Sequence, residues 1–218
     1  MSNHQNNDIS QYNDLLTLMH NYSISTDENI ENECVRFIND NKNCYKTNTN
    51  HILLVAIVRG FNTVAGVIIN ETDLDTLNKH ANSSCTLLQT ACYYSESVIA
   101  HALIDRGVNL DTQTAITEAA ILTACKRGMI DVALKIFDKG CDLSVVDYNG
   151  NDIYDCCNTY VYSVAQKRKY YTACNISKEI GGHIRNRYIK CLSQTVDHNF
   201  DNIIYTKYLI DEICSYII

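Results

Sequence analysis

Hydrophobic positions in the middle of the chain fall at helical spacing, and one such pattern occurs twice. Leu88 to Leu110 superposes without a gap on Ile121 to Leu143, 33 residues later. In that register Thr90-Ala91-Cys92 falls on Thr123-Ala124-Cys125, Ile99-Ala100 on Val132-Ala133, and Asp105-Arg106-Gly107 on Asp138-Lys139-Gly140. A fixed period of this length signals stacked supersecondary units, none of which can bury its apolar face alone.

Each unit has the same internal order. Ile121 to Gly128 predicts a short helix with small residues at its centre, stopped by a glycine able to take the left-handed conformation. Ile130 to Asp138 predicts a second helix, with Val132, Ala133, Ile136 and Phe137 at helical spacing and Gly140 just beyond its end. A polar excursion through Asp147-Tyr148-Asn149-Gly150 follows, where Asn-Gly marks a turn. Leu53 to Gly60 and Thr63 to Ile69 repeat the helix pair, with Glu71-Thr72 in place of the second glycine stop and a longer connection to Leu88. Upstream, Asp14 to Tyr22 and Asn29 to Asp40 predict a further pair ending at Asn41. Downstream, Gly150 to Cys157 opens another unit that soon loses the register.

Helix, tight stop, helix, glycine and a turn rich in Asp, Asn and Gly, in 33 residues, resembles the ankyrin repeat. Thr90-Ala91-Cys92 and Thr123-Ala124-Cys125 end the equivalent inner helix, although no copy carries the Pro or His of the Thr-Pro-Leu-His-x-Ala signature. The resemblance implies an all-α, ankyrin-like helical solenoid. Its parts are an N-terminal tail and capping helix over 1–28, a repeat array over 29–158 and an irregular helical C-terminal cap over 159–218. In the cap, Tyr160 to Tyr171, Ser177 to Leu192 and Asn202 to Ile218 have helical composition, with a break at Gly181-Gly182.

Length and composition suit one continuous core: 218 residues, 46% of them hydrophobic. The longest apolar run, Ile52 to Val58, is far short of the roughly 20 residues that span a bilayer, so no membrane partner is expected. Met1 to Ser10 is polar and lacks a secretory pattern, which predicts an intracellular, cytoplasmic protein. The eleven cysteines then read as small buried groups rather than a disulfide framework. Cys92 and Cys125 share one repeat position. Zinc is the sharper alternative, with Cys156-Cys157 or His183, Cys191 and His198 as candidates, but none has the paired spacing of a structural finger. No metal or cofactor is expected.

Asn, Ile and Tyr are abundant, while Pro and Trp are absent, the signature of AT-rich coding. Proline-poor arrays of this kind resemble the ankyrin proteins of large DNA viruses with AT-rich genomes, which implies a host or virion protein as partner. Some of those proteins end in an F-box-like region that recruits a ubiquitin ligase. Leu209 to Ile213 is faintly similar to its start, which keeps a ubiquitin-ligase substrate adaptor among the alternatives.

Charge divides the chain. Residues 160–195 hold Lys167, Arg168, Lys169, Lys178, Arg185, Arg187 and Lys190 against Glu179 alone, a net of +6 beside −13 for the remainder. Tyrosines interleave with these cations, the composition of a surface that holds phosphates and stacks bases. A solvated helix face is the plainer reading. A basic patch of Lys167, Arg168, Lys169, Arg185, Arg187 and Lys190, binding nucleic acid or an acidic protein, is the alternative.

Catalysis finds no motif: there is no glycine-rich phosphate loop, no Gly-x-Ser-x-Gly and no His-Glu-x-x-His. His51, His80 and His101 are expected as surface or capping residues. Function is therefore expected from recognition of another protein on the concave face that an ankyrin-like array presents. Tyr93, Tyr94, Lys126 and Arg127 would be its exposed inner-helix positions, and turn tips near Asp75 to Ser83, Asp111 to Glu118 and Ser144 to Asn151 would supply Asp111, Gln113, Asp147, Tyr148 and Asn149.

Overall fold

A computed structural model describes residues 3–20, 27–81, 85–113, 117–142 and 144–153, together with Cys156 and Gly182. The chain divides into two units, Met1–Asp152 and Ile153–Ile218, and every element below belongs to the first. Among the described residues helix predominates and no strand forms. The predicted helices of the C-terminal segment, its basic patch and the F-box-like stretch lie outside the described residues.

In chain order the helices are α1 (Asn3–His20), α2 (Asp27–Asp40), α3 (Thr49–Arg59), α4 (Asn62–Glu71), α5 (Leu74–Leu77), α6 (Leu87–Tyr94), α7 (Ser97–Asp105), α8 (Ala120–Arg127) and α9 (Ile130–Asp138). A 3-10 turn, Lys46–Asn48, leads into α3. Within a pair, α3 packs on α4, α6 on α7 and α8 on α9. Between pairs, α3 packs on α6 and α6 on α8, while α2, α4, α7 and α9 follow one another in a second row.

The first helix of each pair is closed in the same way. Phe61 N donates to Ala56 O, Glu96 N to Ala91 O and Met129 N to Ala124 O, each at 2.9 Å. This closure needs a left-handed residue after the helix. Gly60 (φ 67°) and Gly128 (φ 70°) supply it, and Ser95 (φ 63°) does so without being glycine. Ala56, Ala91 and Ala124 are fully buried, as are Cys92 and, to 2% exposure, Cys125, so the repeated small residues lie in the core as their register requires. At the start of α6, Thr86 and Gln89 form a capping box. At the end of α4, where no glycine stands, Thr72 Oγ1 donates to Ile68 O (2.6 Å) and Arg106 Nη2 donates to Thr72 O (2.5 Å).

Polar side chains hold each connection to its neighbours about one period away. Asn109 N donates to Asn78 Oδ1 (2.7 Å), and Asp142 N to Asp111 Oδ1 (2.8 Å). From the helices, Asn50 Nδ2 donates to Thr76 O (2.9 Å), and Gln89 Nε2 donates to Thr112 O (2.7 Å) and Glu118 O (2.9 Å). Lys126 Nζ reaches Glu118 Oε2 (2.5 Å) and Asp147 Oδ2 (2.8 Å). Part-buried backbone carbonyls in these loops thus find donors.

Two features differ from expectation. Helix α1 begins at Asn3, well before Asp14. Its first turns are polar and carry no apolar stripe; among its described side chains only Leu15 and Met19, one turn apart, are buried completely, so periodicity marks the helix only from there. The connection near Asp75 also contains the helical turn α5, whose Thr76 N is capped by Asp73 Oδ1 at 2.8 Å.

Candidate functional site

Residues at matching positions of α3, α6 and α8 shape an open groove of about 490 Å³. Leu54 and Val58 of α3 form one wall, Tyr93 and Tyr94 of α6 another, and Tyr148 closes it from the loop after α9. The tyrosines follow from where α6 stops. They are its last two residues, between the buried Ala91-Cys92 stretch and the Ser95 cap. Tyr93 is 56% exposed, Tyr94 45% and Tyr148 57%.

The groove's upper edge is an aromatic and cationic cluster. The Tyr93 and Tyr94 rings meet edge to face, with centroids 5.3 Å apart. The Arg127 guanidinium lies 4.4 Å from the Tyr93 centroid, a cation–π contact that orients both side chains. Beneath them the polar side chains are engaged. Thr90 Oγ1 donates to Thr86 O (2.8 Å), Thr123 Oγ1 to Glu118 Oε1 (3.2 Å), and Gln89 makes the loop contacts given above. Burial, together with the negative charge of Glu118, pushes the Tyr148 phenol above its ordinary value, which keeps it a neutral hydroxyl.

Of the residues expected on a binding face, Tyr93, Tyr94, Arg127 and Tyr148 come together here. Lys126 and Asp147 do not line the groove, and both are less exposed than expected. The Lys126 side chain is 28% exposed and bridges Glu118 and Asp147. The Asp147 side chain is 1% exposed and also accepts from Asn149 N (2.8 Å), Asn151 N (2.9 Å) and Asn151 Nδ2 (3.0 Å). Burial alone would raise the Asp147 carboxyl, but those donors outweigh it and hold it well below the usual carboxylate range. The residue read as a turn tip is the internal fastening of that turn. Asp111, Gln113 and Asn149 are exposed but do not line the groove; Gln113 Nε2 donates to Val146 O (2.8 Å) and ties two loops together.

Val58 and Leu54 are groove residues that sequence reasoning missed, although Val58 stands two residues after Ala56 as Tyr93 does after Ala91. The histidines take structural contacts. His51 Nδ1 and the Tyr12 hydroxyl lie 2.5 Å apart, and His101 Nε2 pairs with Asp131 Oδ2 at 2.8 Å. Cys34, Cys44 and Cys92 are buried thiols. Burial raises all three, Cys34 and Cys92 to about 12 and Cys44 to about 11.

A second, polar cleft of about 510 Å³ lies between the start of α3 and the α4–α6 connection, where Lys46, Asn48, Glu71, Asp73 and Lys79 line it. Its acids are taken up locally: Glu71 Oε2 accepts from the Tyr45 hydroxyl (2.5 Å) and Asp73 caps α5. Among the described residues no group of three His, Cys, Asp or Glu is placed to hold a metal ion, and no helix is long and apolar enough to cross a membrane.

Searched against known protein families, the chain matches none, and no curated protein is significantly similar to it in sequence.

Proposed function

We propose that the chain is a non-enzymatic protein-binding module, built as an ankyrin-like helical solenoid, whose tyrosine-lined groove receives another protein. The observation that carries this reading is the cluster of Tyr93, Tyr94 and Tyr148 with Val58 beside them. These large side chains stand 45–57% exposed around one concavity whose polar floor is internally satisfied. Tyrosine and arginine are the side chains that most often dominate binding energy. Bulky apolar surface gathered in one place, rather than scattered, marks an interaction site.

The architecture rests on the gapless 33-residue match, the shared left-handed closure after Ala56, Ala91 and Ala124, and the two rows of successive helices. An intracellular setting, with a host or virion protein as partner, rests on the resemblance to viral ankyrin proteins.

The test compares variants for capture of proteins from a cell lysate by the immobilised full chain. Tyr94→Ala with Arg127→Ala should abolish the specific captures, since anchors of this type are each worth ~2 kcal/mol or more, with the helical signal unchanged. Lys167→Glu, Arg168→Glu and Lys169→Glu together should leave those captures in place. The reverse pattern, with retention that falls steeply as salt rises, would assign function to the basic segment and to nucleic acid instead.

A further inference from the structure

The loop after α9 carries a residue pair with a chemistry of its own. Asn149-Gly150 is the only Asn-Gly in the sequence. In such a pair the glycine nitrogen can attack the asparagine side-chain carbonyl, because glycine has no Cβ to obstruct the approach. Both residues are exposed. Among the described residues the Asn149 side-chain amide holds no hydrogen bond, so the carbon to be attacked is open to water and free to turn.

The attacking nitrogen is not free. Gly150 N donates to Asp147 O at 3.0 Å, and ring closure needs that nitrogen to give up its proton beside the side chain. Asp147 also fastens the rest of the turn. Its N donates to Asn151 O (2.9 Å), and its carboxylate accepts from Asn149 N (2.8 Å), Asn151 N (2.9 Å), Asn151 Nδ2 (3.0 Å) and Lys126 Nζ (2.8 Å). The Asp147 side chain is 1% exposed, so water competes poorly for these bonds.

We propose that Asn149 is a deamidation site latched by Asp147, which converts only when the turn opens. In the opened turn the Gly150 nitrogen passes its proton to the solvent and bonds to Asn149 Cγ; the Cγ–Nδ2 bond breaks, and that nitrogen takes up a proton and leaves as ammonia. Water then opens the five-membered imide at one carbonyl or the other. The products are aspartate and isoaspartate, and no oxidant or reductant takes part.

The isoaspartate product does not fit the latch. It puts an extra methylene into the backbone between positions 149 and 150, so Gly150 N and Asn151 N no longer meet Asp147 O and Oδ1 in register. Tyr148, the preceding residue and a wall of the groove, then loses its fixed support. Deamidation thus loosens that wall irreversibly. This chemistry needs no occupant in the groove.

Incubation of the full chain at pH 8, followed by peptide mapping that separates aspartate from isoaspartate, tests this. Asn149 should convert about tenfold more slowly than in a synthetic peptide of residues 145–153, the factor expected where one or two net hydrogen bonds keep the turn closed. Asp147→Ala should bring conversion close to the peptide rate. Asn151→Ala, which removes one bond to Asp147, should fall between, with circular dichroism checking that both variants keep their helices. In urea the native chain should match the peptide. Native conversion as fast as the peptide, or no gain in either folded variant, would remove the latch. A peptide that converts while Asn149 of the chain does so under none of these conditions would remove the site.

Discussion

Single residues set the local balance, and Ser95 shows it most simply. At the position where α3 and α8 have Gly60 and Gly128, α6 has a serine at φ 63°. A residue with a Cβ in the left-handed region costs roughly 1–2 kcal/mol relative to an unstrained one. Ser95 is exposed, so Ser95→Gly should raise stability by about 1 kcal/mol, read as a higher urea midpoint with an unchanged slope. Asp147 acts in the opposite sense. Because its folded carboxyl is held far below the unfolded value of about 3.9, its stabilisation is fully present above that value and is lost as pH falls towards the folded one. Asp147→Ala should cost about 3 kcal/mol at neutral pH, the scale for breaking a buried ion pair. Thermal denaturation between pH 7 and pH 3 should then show a flatter decline in the variant than in the native chain; equal slopes would deny Asp147 this role.

At the scale of elements, Gln89 is the most consequential polar side chain. Its amide caps α6 through Thr86 N (2.7 Å) and holds the carbonyls of Thr112 and Glu118. Gln89→Leu keeps the bulk but strands those carbonyls, at a cost of about 2 kcal/mol. Hydrogen exchange should quicken first in α6 and in the loop before α8, and unchanged exchange there would show that the loop is held by packing alone. These fastenings also explain what could be read in advance. The bounds of α9, Ile130–Asp138, and the glycine stops after α3 and α8 follow from periodicity and left-handed residues, both local signals. The reach of Gln89 to Glu118, or of Lys126 to Asp147, leaves no periodic trace. Lys126 and Asp147 therefore looked like surface residues. Tyr93 and Tyr94 were legible as groove residues because they follow the small buried residues directly. Leu54 and Val58 were not, since aliphatic side chains on a helix read as core.

For the molecule as a whole, the order of helix contacts decides how stability is distributed. Helix α6 has α3 on one side and α8 on the other, and α7 likewise has α4 and α9, whereas α1 packs chiefly on α2, with smaller contacts to the 3-10 turn and α3. Where units touch only their neighbours, stability is a sum of unit and interface terms, and an element flanked on both sides opens last. Amide exchange under native conditions should accordingly be slowest in α6 and α7, at Ala91, Cys92, Ala100 and Leu103, and faster by several powers of ten in α1. A molecule held by one shared core would instead protect α1, through Leu15 and Met19, as strongly as α6. The groove depends on this gradient: Tyr93 and Tyr94 end the most protected first-row helix, and Ser95→Gly should slow exchange in α6 without changing the groove side chains. If α1 and α6 exchange at one common rate, opening is global, and neighbour-by-neighbour stacking is the wrong description of this chain.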